Sequence, residues 1–126
     1  MKRQVHTPEA PAPIGPYSQA VEAGGLVFVS GQIPLDPESG NLITGDVERA
    51  THLVMQHIRS ILNAAGSGLD KVVKASIFLK DMNDFAKVNE VYGSYFEGGV
   101  PPARETVEVA RLPKDVPVEI SVIAVK

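Results

Sequence analysis

Apolar residues recur at steps of three and four between Asp46 and Ala65. Val47, Ala50, Val54, Ile58, Ile61 and Ala65 make one stripe down a helix. Asp46 stands where an N-cap belongs, and Gly66 where a C-terminal stop belongs. A second helical pattern runs from about Asp84 to Phe96. Phe85, Val88, Tyr92, Tyr95 and Phe96 line its apolar side, and Gly98-Gly99 ends it. Elsewhere the pattern is that of strands. Val72 to Leu79 is short, β-branched and apolar, which predicts a largely buried strand. Val21 to Ser30 holds Gly24-Gly25 between two apolar runs, the pattern of a hairpin. Two more strands are predicted near 104–110 and 117–125, separated by a turn at Leu112 to Asp115. Residues 6–16 are rich in proline and alanine and read as an extended segment, and Asp36 to Gly40 reads as a loop. The order β-β-α-β-α-β-β predicts an α+β fold, with two helices covering one face of a mixed sheet.

Composition narrows the function classes. The 126 residues suit a single domain spanning 1–126, with no linker, repeat or low-complexity segment. Hydrophobic residues make up 44%, enough for a real core, and a chain this small can gain by associating with copies of itself. The net charge of −3 and the lack of any basic run argue against a nucleic-acid footprint. There is no cysteine, so disulfides, thiolate metal sites and a cysteine nucleophile are excluded. Behind Lys2 and Arg3 there is no apolar stretch, which argues against a signal peptide or membrane span and makes a cytoplasmic location the default. His52 and His57 sit about 140° apart around a helix, so they do not form a metal pair. The paired glycines lack the spacing and lysine of a phosphate loop.

The candidate chemistry lies in the last quarter of the chain. Arg104 enters a strand from the stiff Pro101-Pro102-Ala103 segment, and Glu119 stands among apolar neighbours in the next run. A guanidinium can grip a carboxylate with two parallel N–H bonds, and a carboxylate can activate water; together they suit hydrolysis of a small anion. The plainer readings are a surface arginine and an exposed or ion-paired glutamate, with Arg111 or Lys114 as partner. Thr106 shares a strand face with Arg104, and Ser121 with Glu119. Gly31 permits close approach to the backbone, so its N–H can meet a carboxylate or a developing charge. Tyr17 by itself reads as a packing residue, Ser30 as a cap, and Asn89 as a local hydrogen-bonding residue.

Four blocks then add to one another. Ile14-Gly15-Pro16-Tyr17-Ser18-Gln19-Ala20, Val29-Ser30-Gly31-Gln32-Ile33-Pro34, Asp81-Met82-Asn83-Asp84-Phe85 with Val88-Asn89, and Pro102-Ala103-Arg104 through Glu119 span nearly the whole chain. In this order they resemble the reactive-intermediate deaminase family, also called RidA or YjgF. The resemblance implies a chorismate-mutase-like fold and a homotrimer with its helices outside and its sites in clefts between subunits. It implies cofactor-independent hydrolysis of enamine/imine intermediates of the 2-aminoacrylate/2-iminopropanoate type to 2-keto acids and ammonia. On that pattern Arg104 clamps the substrate carboxylate and Glu119 positions or activates water. Tyr17, Ser30, Gly31, Asn89 and Thr106 complete the cleft. Thr106 replaces a cysteine or serine common in relatives, Pro101 an aromatic residue, and Ser121 a second acid, departures that bear on substrate preference. Two alternatives share the pattern: a non-catalytic regulator that binds small carboxylates, and a ribonuclease or translation inhibitor.

Overall fold

A computed structural model describes residues 1–126. Six strands form one sheet: β1 (Arg3–Val5), β2 (Ala20–Ala23), β3 (Leu26–Gln32), β4 (Val72–Leu79), β5 (Ala103–Glu108) and β6 (Val118–Val125), in the order β1-β2-β3-β6-β4-β5. Only β4 and β5 pair in parallel; every other neighbour is antiparallel. Two helices, α1 (Val47–Ala64) and α2 (Phe85–Ser94), pack together, and α1 lies on β3 and β6. The α+β reading with a mixed sheet and helices on one face therefore holds. No helix is long and apolar enough to cross a membrane.

Local chemistry accounts for the helix ends. The Asp46 carboxylate accepts from the Arg49 N–H at 3.1 Å, as an N-cap should. At the other end Gly66 adopts φ +76°, and the N–H groups of Ser67 and Gly66 donate to the carbonyls of Leu62 and Asn63. This is the paired closure that a left-handed residue after a helix permits. The predicted stripe is the buried one: Ala50, Val54, Ile58 and Ile61 have no exposed surface. They pack with Val27, Ala75, Ile77, Val118, Ile120 and Ala124 of the sheet into one core.

Two elements depart from expectation. Strand β1 was not predicted, because it offers one buried residue, Val5, in three and exists by pairing with β2. Helix α2 is shorter than its pattern: Met82–Asp84 is a separate 3₁₀ turn, and the helix ends at Ser94. Tyr95 and Phe96 still pack against the core from beyond its end.

The opposite face of the sheet carries no helix. Phe28, Val107 and Val125 stay about two-fifths exposed there. Phe78, Glu119, Ser121 and Ile123 share that face and are half-buried.

Candidate functional site

Strand β5 is an edge strand, and its register decides where its side chains go. Arg104 stands opposite Ala75 and Thr106 opposite Ile77, two residues wholly buried beneath the helices. Arg104 and Thr106 therefore project to the helix side. There the guanidinium meets α2. Its Nη1 donates to Asn89 Oδ1 at 2.7 Å, and its carbon lies 5.1 Å from the Tyr92 ring centroid and 5.8 Å from that of Phe85. None of the four ion pairs in the chain uses Arg104. The cation is held by neutral groups alone, so its charge is uncompensated. A groove of about 430 Å³ opens beside it, walled by Asn89, Tyr92, Gly93, Phe96, Pro101 and Pro102.

Two hydroxyls in this region, Tyr92 Oη and Thr106 Oγ1, are enclosed without a hydrogen-bond partner. Burial pushes the Tyr92 hydroxyl pKa up, and the Arg104 charge opposes that shift.

Glu119 lies elsewhere. It is opposite Phe78, one residue on from Ile77, and so projects to the bare face. It makes no ion pair and no hydrogen bond, which removes the plainer reading of a pair with Arg111 or Lys114. Its carboxylate rests on Gly31. A Cβ at Gly31 would fall 2.3 Å from Oε2 and 2.7 Å from Cδ, so a side chain there would displace the acid. The contact arises from an irregularity in β3 between Val29 and Gln32, where it pairs with β6. Partial burial without a partner raises the Glu119 pKa above the usual carboxylate range.

Ser30 precedes Gly31 in β3, and Tyr17 lies in the loop before β2. Ser30 Oγ donates to the Ser18 carbonyl at 2.6 Å, which ties the Tyr17 loop to β3. The half-exposed Tyr17 accepts at its hydroxyl from the Ile14 N–H at 3.3 Å. The segment before it is fixed by Gln19, which sequence reasoning passed over. This side chain is buried and holds Thr7, Ala10 and Pro11 through four backbone hydrogen bonds.

The sequence-predicted residues thus form two groups. Arg104, Asn89 and Thr106 sit on the helix side at the β5 edge; Gly31 and Glu119 meet on the bare face, with Ser30 next to Gly31 in β3 and tied to the Tyr17 loop. Strand β4 separates β5 from β6, so the two runs that look adjacent in sequence are not neighbours. Within one chain Arg104 and Glu119 do not meet. Phe85 and Tyr92 are the additions made by the structure; their helical spacing from Asn89, four before and three after, is the signal that points to them.

Fold and site together define a small α+β protein with an arginine free of acidic partners beside an open groove and a separate, poorly solvated acid. Its relatives have the same architecture. The family model described as Endoribonuclease L-PSP matches residues 7–126. A RutC family protein of Pyrococcus horikoshii is 55% identical over 126 residues, covering 100% of this chain and 99% of the relative. The 2-iminobutanoate/2-iminopropanoate deaminase of Mus musculus is 45% identical over 126 residues, covering 100% of this chain and 93% of the relative. The crystal structure of Escherichia coli TdcF with bound serine superposes with a TM-score of 0.94 at 43% identity, covering 98% of each chain. The chain belongs to the RidA/YjgF family of reactive-intermediate deaminases.

Proposed function

We propose that this protein hydrolyses reactive 2-imino acids, of the 2-iminopropanoate and 2-iminobutanoate type, to 2-keto acids and ammonia. One observation carries the reading: the Arg104 guanidinium is presented without an acidic partner beside an open groove. Such a fork matches the carboxylate common to substrate and product. The mouse relative's name gives the imine chemistry, and the bound serine of the bacterial structure is another small amino-acid carboxylate.

In the proposed reaction Arg104 holds the carboxylate and Glu119 takes a proton from water. The water oxygen attacks the imine carbon, and the C=N bond becomes a C–N single bond. Glu119 returns the proton to nitrogen, giving a carbinolamine; the same carboxylate then carries the proton of the new hydroxyl to nitrogen, the C=O bond forms as the C–N bond breaks, and the keto acid leaves with ammonia. A carboxyl with a raised pKa suits both steps near neutral pH. The backbone at Gly31 and the hydroxyls of Tyr17 and Ser30 steady the water. Imine hydrolysis is facile in water, so positioning is the main need. No step calls for a cofactor or metal.

Arg104 and Glu119 face opposite ways in one chain, so the proposed site joins Arg104 of one copy to Glu119 of another. The half-exposed apolar residues Phe28 and Val107 on the bare face support such association. The homotrimer implied by the family resemblance supplies this arrangement. A cytoplasmic setting, near the enzymes that release enamines, is part of the same reading.

The test is to generate 2-iminopropanoate in place with a serine dehydratase and follow its loss. The protein should speed that loss in proportion to its concentration. Binding of pyruvate without any acceleration would instead favour a non-catalytic carboxylate-binding regulator. The family description also names an endoribonuclease. A net charge of −3 counts against RNA as the substrate.

A further inference from the structure

Helix α2 presents Phe85, Asn89 and Tyr92 along one side, at steps of four and three, and all three touch the Arg104 guanidinium. An arginine on a strand edge has a long stem, and its planar head turns freely unless something fixes it. A neighbouring acid would fix it but would also neutralise it and occupy the two N–H groups that a substrate carboxylate needs. Aromatic faces act differently. They attract the cation through the ring quadrupole, leave its charge in place and consume no N–H donor. Asn89 takes one N–H of Nη1 and fixes rotation in the plane, leaving the other donors unused.

We propose that Phe85 and Tyr92 are positioning residues for Arg104: their rings set the plane of the guanidinium, so that its free edge is ready for a carboxylate before substrate arrives. The inference rests on the reading of Arg104 as the carboxylate clamp. The ring of Tyr92, not its hydroxyl, carries the role, because Tyr92 Oη has no partner and the cation lies over the ring. The two residues also differ usefully in burial. Tyr92 is 5% exposed and part of the core, whereas Phe85 is 38% exposed at its margin. Phe85 can be changed with little risk to folding.

The variants are Phe85→Leu, Tyr92→Leu and Tyr92→Phe, each kept apolar to preserve packing. Two readouts are taken: calorimetric affinity for pyruvate, and the ¹⁵N order parameter of Arg104 Nε in the ligand-free protein, assigned by its loss in Arg104→Lys. Phe85→Leu should weaken pyruvate binding about threefold and Tyr92→Leu about tenfold, as expected for loss of a cation–π contact. Both should lower the Nε order parameter. Tyr92→Phe should bind within about twofold of the parent and keep the Nε order, since the ring remains.

Unchanged affinity and order in Phe85→Leu and Tyr92→Leu would overturn the proposal. So would a Tyr92→Phe variant as impaired as Tyr92→Leu, because the hydroxyl would then carry the effect. If Tyr92→Leu does not fold, Phe85→Leu decides alone. Should Arg104→Ala itself bind pyruvate normally, the clamp reading fails, and the order parameter still decides whether the rings hold the guanidinium.

Discussion

Replacing Arg104 by alanine or by lysine is expected to lower imine hydrolysis at least about a hundredfold, close to 3 kcal/mol of lost stabilisation, as for removal of one partner of a buried charge pair. The fold should persist in both. Arg104 lies on an edge strand, is only partly buried, and contributes no ion pair to the structure. Lysine keeps the charge but not the planar fork, so it cannot make two parallel bonds to a carboxylate while a third contacts Asn89. Alanine should lose substrate affinity and rate together. Circular dichroism and sedimentation should match the parent protein, which separates a lost grip from a lost fold. A lysine variant with near-parental rate on 2-iminopropanoate would remove the bidentate role.

Glu119→Gln should depress turnover by about a hundredfold, the lower part of the range for general acid–base catalysis, while leaving pyruvate affinity nearly unchanged. The amide preserves shape and hydrogen-bonding capacity but cannot take a proton. The parent rate should rise with pH as Glu119 ionises, with its midpoint above the usual carboxylate range because burial favours the neutral form. In Glu119→Gln that limb should vanish. Stability should move the opposite way. The folded chain keeps the Glu119 proton to a higher pH than the unfolded chain does, so stability falls as pH rises from the unfolded pKa through the raised folded one. The glutamine variant lacks this loss and should melt higher than the parent above that window. Equal activity in variant and parent would leave Glu119 as a structural residue.

Much of the fold is written in local pattern. The α1 stripe, its Asp46 cap and its Gly66 stop are decided within twenty residues, and the structure keeps all three. The β4 and β6 runs are legible for a similar reason, since burial on one side imposes the alternation of Ala75, Ile77 and Leu79 and of Val118, Ile120 and Val122. Strand β1 is not legible, because its three residues gain their order from Glu22, Val21 and Ala20 opposite. The same limit applies to the candidate site. Motifs identify Arg104 and Glu119 as residue types able to do the chemistry, and chain order places them fifteen residues apart across one turn. Insertion of β4 between their strands is a long-range event that no local pattern records. It puts the two side chains on opposite faces, so that two runs flanking one turn in sequence do not face each other in one chain. Phe85 and Tyr92 were read as the apolar side of a helix, which they are. Their contact with Arg104 depends on β5 pairing in parallel beside β4, again a tertiary fact.

The shared site is the central claim, and mixing two inactive proteins tests it most directly. Arg104→Ala retains Glu119, and Glu119→Gln retains Arg104. Each alone should be nearly inactive. After joint refolding at equal amounts, random assembly into a closed ring should give about one quarter of the inter-chain clefts an intact pair. The expected result is recovery of about one quarter of the parent rate on 2-iminopropanoate, in particles of the parent size. A mixture of co-assembled chains as inactive as its components would contradict a site shared between chains.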